Sequence, residues 1–323
     1  MVRGSAVRRS AWSGRILALS RATAELRMLI ASAAGGLSGA SRRNAATLAW
    51  LLASFLSPAS ADGPLHEQIA ELTRQIDGRG PDPALYLRRG ELNRLHDQFD
   101  AARADFQKAQ KLSPADPEPL FRLGRLALDE GKPADAAKRL ARFTTLRPGS
   151  AEGWFLSARA LARSGRFSEA VPDYHRAIAL SVEPRPEWFV ERCHAQLALT
   201  GDPATEALAG LDEGLAKIGP LPSLQLLAIE IETRRKGFDA ALSRLDTLVA
   251  ASERKETWLA RRGDLLQQAG RIADARAAYR SAGAAIDSLP SGRQRTLAML
   301  ELRRELEGKL AALPAGPESA PVP

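Results

Sequence analysis

The same residue types recur every 34 positions along most of this chain. Large side chains stand at Tyr86, Leu120, Trp154 and Trp188, and small ones at Gly90, Gly124 and Ala158. Ala102, Ala136 and Ala170 keep the interval, as do Phe106, Leu140 and Tyr174. Ala109 and Ala177 match with Phe143 as the exception between them, and Pro114 and Pro148 close the first two units. Further on, Ala207, Ala241 and Ala275 stay in step, as do Leu211, Leu245 and Tyr279. The step from Ala170 to Ala207 is 37, so three residues enter near Thr200-Gly201-Asp202-Pro203, a turn where insertion costs little. A period of this length restricts the chain to an array of one repeated supersecondary unit.

Each unit holds two apolar-periodic stretches of about 14 residues around a short polar break, and helical spacing makes each stretch an amphipathic helix. The breaks include Leu95-His96-Asp97-Gln98, Asp129-Glu130-Gly131-Lys132 and Arg163-Ser164-Gly165-Arg166. Gly165, Gly237 and Gly270 are placed to take the left-handed conformation that ends a helix. Gly90 and Ala102 let two antiparallel helices approach closely, while Tyr86 and Phe106 fill the space beside them. One hairpin cannot cover its own apolar face; stacked hairpins can. Composition agrees with an all-α fold: aromatics are 5% of 323 residues, and Ala and Leu dominate over β-branched types. A single cysteine, Cys193, excludes a disulfide framework and a thiolate cage. His66, His96, His175 and His194 show no paired ligand spacing, so neither a metal nor another cofactor is expected.

These residues resemble the tetratricopeptide repeat, whose signature sets Trp, Leu-Gly, Tyr, Ala, Phe and Pro at fixed intervals. Tyr86, Gly90, Ala102, Phe106, Ala109 and Pro114 make one nearly complete copy, and Trp154, Ala170, Tyr174 and Ala177 another. The likeness is weaker over 185–219 and 222–253 and returns at 256–288 through Gly263, Ala275, Tyr279 and Ala282. It implies a right-handed α-solenoid of about six helix-turn-helix repeats. Capping helices are expected near 65–76 and 293–310. On this reading residues 62–312 form the solenoid, and 313–323 form a disordered Pro-rich tail. Trp154, Trp188 and Tyr174 are expected in the core.

The resemblance also implies that first helices line a concave groove where a partner binds. One register place runs Leu87, Phe121, Phe155, Phe189, Leu226, Ala260, and the place four residues on runs Glu91, Arg125, Arg159, Cys193, Glu230, Asp264. Spacing of i and i+4 puts an aromatic and an Arg on one helical face, and Arg163 extends it by a turn. Phe121, Arg125, Phe155, Arg159, Arg163 and Phe189 are thus the candidate groove residues: a row of Phe beside a strip of Arg, with acids at both ends. Such a surface suits a peptide or protein segment carrying acidic residues and an apolar anchor. The Lys and Asn pattern with which chaperone-binding members clamp a C-terminal carboxylate is absent. The reading is a non-catalytic protein-interaction scaffold. Its rivals are a regulatory or assembly subunit of a cell-envelope enzyme complex, and a glycan-binding groove built on the Phe and Trp faces.

The net charge of +8 belongs to the leader: residues 1–61 carry eight Arg against Glu25 alone, leaving the other 262 residues at +1. That near-neutral body argues against nucleic acid. Arg42-Arg43, the apolar run 45–56, and Ser57-Pro58-Ala59-Ser60-Ala61 have the order of a secretory signal cleaved after Ala61. The run is short of the roughly 20 residues that span a bilayer, so an exported, periplasmic or secreted bacterial protein is expected. Arg makes up 38 of the 46 basic residues, in keeping with a GC-rich bacterial genome. Residues 1–41 are either a mis-assigned start, which is preferred, or a targeting extension. No phosphate loop and no Gly-x-Ser-x-Gly pattern occurs. Cys193 and His194, adjacent on a helix, point about 100° apart and do not form a catalytic pair.

Overall fold

A computed structural model of the chain describes residues 63–314, so the expected signal segment 1–61 lies outside the described residues. The chain divides into two compact units, 1–68 and 69–323, and the repeats occupy the second. Every regular element among the described residues is helical. Six hairpins follow α1 (Gly63–Arg79): α2 (Pro83–Leu95) with α3 (Phe99–Leu112), α4 (Glu118–Asp129) with α5 (Pro133–Leu146), and α6 (Ala151–Arg163) with α7 (Phe167–Leu180). The others are α8 (Pro186–Leu197) with α9 (Ala204–Ile218), α10 (Pro222–Arg234) with α11 (Phe238–Ala251), and α12 (Glu256–Gln268) with α13 (Ile272–Asp287). The three-residue insertion falls between α8 and α9, as its turn chemistry implies.

Local sequence sets these boundaries. The Asp82 carboxylate accepts from the Ala84 N–H at 2.9 Å and the Ser150 hydroxyl from the Gly153 N–H at 3.1 Å, capping α2 and α6. Pro opens α2, α5, α8 and α10, where its missing N–H is not needed. Gly165 and Gly270 make the left-handed turns between paired helices, but Gly237 does not. Lys236 takes that conformation instead, at φ 60°, and Gly237 stands one place later as the N-terminal cap of α11.

Within each hairpin the small-against-large scheme holds. A methyl group added at Gly90 would sit 2.6 Å from the Phe106 ring, and one at Gly124 2.6 Å from Leu140. Phe106 and Leu140 are completely buried, with Ala102, Ala109 and Ala136 beside them. The largest buried cluster runs from Ala127 to Ile231 and joins the second hairpin to the fifth. Trp188 and Tyr174 lie in it as expected, whereas Trp154 is only partly buried. Its indole N–H is held outward by the Pro148 carbonyl at 2.8 Å.

First helices of successive hairpins touch one another from α2 through α10, whereas second helices chiefly contact the first helices on either side. The first-helix layer is therefore the tighter one, so this part of the array curves with first helices inside. At its end the expected single cap is two pieces, α14 (Ser291–Gln294) and α15 (Leu297–Ala312), with α15 packed on α13. Leu313, placed in the disordered tail by sequence, is buried, and Arg276 donates to the carbonyls of Leu313 and Pro314. Residues 315–323 lie outside the described residues.

Candidate ligand-binding face

The first helices carry the candidate residues, and their depth differs sharply along the array. Phe121 on α4 is partly exposed, its ring 5.0 Å from that of Phe143. Phe155 on α6 and Phe189 on α8 are 0% exposed. Phe155 stacks on Trp188 at 4.8 Å between centroids and 16° between planes, with the Arg159 guanidinium 4.4 Å above it. Phe189 packs under Gly214, where an added methyl would meet its ring at 2.9 Å. The expected floor of three exposed Phe is thus reduced to Phe121; Phe155 and Phe189 are core.

The arginine strip is also rearranged, because acids from neighbouring hairpins reach into it. Arg159 makes hydrogen bonds of 2.6–3.1 Å to both carboxylate oxygens of Glu191, which also accepts from the Tyr174 hydroxyl at 2.9 Å. Burial, then the facing Glu191 carboxylate, pushes the Tyr174 hydroxyl far above its usual range. Glu91 gathers three cations: Arg94 at 2.8 Å, Arg122 at 3.2 Å and Arg125 at 3.5 Å. Burial acts to raise the Glu91 carboxyl, but these guanidinium groups outweigh it and hold it below its ordinary value. Arg94 also pairs with Asp129 on the next first helix.

Two candidate cations remain available. The Arg125 side chain is 41% exposed and only loosely held by Glu91. Arg163, at the end of α6, is exposed and forms no ion pair among the described residues. Cys193 occupies the same register place but is buried, and burial pushes its thiol up to about 11, which leaves it an inert filler rather than a nucleophile. No group of three or more His, Cys, Asp or Glu among the described residues could hold a metal ion.

Sequence reading missed Glu191 and Arg192. Arg192 is 1% exposed, donates to the Gly210 carbonyl at 2.8 Å and pairs with Glu213 at 2.8 Å. Gly210 is small for this reason, since a methyl there would meet the guanidinium at 2.8 Å. The signal for Glu191 was available in hindsight: it stands 32 residues beyond Arg159, close to one repeat, where stacked first helices meet.

Comparison with known families settles what the array is. A tetratricopeptide repeat profile matches residues 121–183, and a tetratricopeptide repeat-like domain profile matches 204–305. The chain belongs to the tetratricopeptide-repeat family. Among solved structures, the C-terminal part of a TPR repeat-containing protein from Cytophaga hutchinsonii is 13% identical, with a TM-score of 0.57, covering 75% of this chain and 95% of that one. A tetratricopeptide repeat protein from Parabacteroides merdae is 13% identical, with a TM-score of 0.47 over 76% and 93%. YrrB, described as a TPR protein with an unusual peptide-binding site, is 15% identical, with a TM-score of 0.47 over 55% and 91%. At these identities the likeness shows the fold alone. No curated protein matches the sequence. Tetratricopeptide-repeat proteins generally mediate protein–protein interactions and are generally non-catalytic. In this one no helix among the described residues is long and apolar enough to cross a membrane.

Proposed function

We propose that this tetratricopeptide-repeat chain is an exported, non-catalytic scaffold whose first-helix face receives a peptide segment bearing acidic residues and one apolar anchor. The observation that carries the reading is the pair Arg125 and Arg163, the two candidate cations left exposed on a face where Arg94, Arg122 and Arg159 are internally paired. Peptide carboxylates would compete with Glu91 for Arg125 and add to Arg163, and the exposed edge of Phe121 together with Leu95, 56% exposed, would take the apolar anchor. A preformed face lowers the ordering cost of binding. Export rests on Arg42-Arg43, the apolar run and the small residues before Asp62.

The test is paired reversal, Arg125→Glu with Arg163→Glu, read by capture of the native partner. Neither residue braces the core, so melting should be preserved while capture is lost. Unchanged capture contradicts the proposal. Co-purification of one stoichiometric enzyme would instead favour an assembly subunit, and a response on glycan but not peptide arrays would favour a saccharide groove. N-terminal sequencing of exported material should begin near Asp62.

A further inference from the structure

The near-neutral charge of the body conceals a segregation. Lys108 and Lys111 on α3, Lys138, Arg139 and Arg142 on α5, and Arg176 on α7 form no ion pairs among the described residues. All six stand on second helices, on the side of the array away from the first-helix face. Two adjacent clefts open there because second helices splay apart where first helices converge. The larger, about 450 Å³, has Trp154, Ser157 and Leu161 of α6 as its floor, between walls from α5 and α7. The smaller, about 260 Å³, lies one hairpin earlier over Leu120 and is lined by Arg139 and Arg142. Lys138 lines both.

We propose that these outer clefts are a second docking site, distinct from the first-helix face, for an extended acidic polypeptide segment. Charge complementarity selects an acidic occupant: Lys138, Arg139 and Arg142 form no ion pair among the described residues, and the remaining lining cation, Arg166, is matched by Glu169 at 2.6 Å. The larger cleft has the size of a specific small-ligand site, and its floor offers an indole and a leucine to an apolar side chain. Asp173 decides between a peptide and another polyanion. Asp173 is partly buried and receives one hydrogen bond, from Ser157 at 2.8 Å. Burial raises its carboxyl above the ordinary value. A carboxylate short of donors suits backbone N–H groups, which a peptide supplies and a phosphate or sulfate backbone does not.

Binding of a fluorescein-labelled twelve-residue peptide of Glu, with Leu at every fourth place, tests this by anisotropy on the full chain. Measurement in an Arg125→Glu/Arg163→Glu background removes the first-helix face, so the two sites fail or succeed separately. Adding Lys138→Glu and Arg142→Glu should weaken binding by at least about tenfold. Ala141→Trp, which fills the larger cleft and leaves every charge in place, should weaken it comparably. Circular dichroism melting checks folding, and Lys138→Gln with Arg142→Gln serves if the reversals melt early. Affinity within twofold of the background after charge removal overturns the proposal. Retained affinity in Ala141→Trp overturns it too, leaving only a diffuse charged surface. Tighter binding of a duplex DNA or a sulfated polysaccharide than of the peptide would also overturn it.

Discussion

The inner arginines beside Glu91 and Glu191 and the outer arginines of α5 have different fates. On the first helices Arg94, Arg122 and Arg159 are tied to Glu91, Asp129, Glu118 or Glu191 at hydrogen-bond distances. On α5, Arg139 and Arg142 form no ion pair among the described residues. The composition of the layers does not explain this; their spacing does. Converging first helices bring an acid of one repeat onto an Arg of the next, and half-buried surroundings make that pairing worthwhile. Over α5 the cleft between second helices leaves Arg139 and Arg142 without such a partner, whereas on later hairpins Arg244 of α11 reaches Asp212 of α9 at 2.6 Å. Stacking thus ties Arg94, Arg122 and Arg159 internally, while Arg163 on the inner face and the α5 arginines outside stay unpaired among the described residues.

The sharpest break in this comparison is Phe155→Ala. If Phe155 were a surface residue of a binding face, truncation would barely affect stability. Buried against Trp188 and Tyr174, it should cost about 3–5 kcal/mol in chemical denaturation. Next comes Glu191→Gln, which leaves the Arg159 guanidinium half-buried without its counter-charge. A loss of about 2 kcal/mol is expected, against no more than about 0.5 kcal/mol for Arg142→Ala on the outer layer. Equal effects would erase the distinction. At the turn between layers, Lys236→Gly should stabilise by about 0.5–1 kcal/mol, because a side chain there is held at φ 60°. A destabilised variant would show that the lysine side chain, not the backbone, matters there.

The smallest effect concerns pH. The folded-state carboxyl of Glu91 lies below its unfolded value, so its stabilisation is present above the unfolded pKa. It is lost as pH falls through the folded one. Stability should therefore decline as pH drops below about 4.5, and Glu91→Gln should flatten that limb. An unaltered acid limb would mean that Glu91 does not anchor the inner network.

Element order was readable from sequence because the 34-residue period reports directly on helix pairs, and the six hairpins and their insertion fall where it places them. The candidate face was readable only in direction. Register puts Phe121, Phe155 and Phe189 on one helical face, but depth depends on what the next hairpin lays over each. Trp188 covers Phe155, whereas the equivalent Trp154 is drawn outward by Pro148 and Arg176, which leaves Phe121 partly bare. Ion pairs such as Arg159–Glu191 join residues one repeat apart, so they exist only once hairpins stack. Net charge, summed over the body, hid the outer cations because inner pairs and unpaired lysines count alike.

Side-chain NMR of the arginine Nε–H groups tests the two-layer account most directly. Arg94, Arg159 and Arg192 should give slowly exchanging, rotationally restricted signals, while Arg139, Arg142 and Arg163 exchange fast and reorient freely. Uniformly fast exchange across both sets, or protected signals from the α5 arginines, would contradict it.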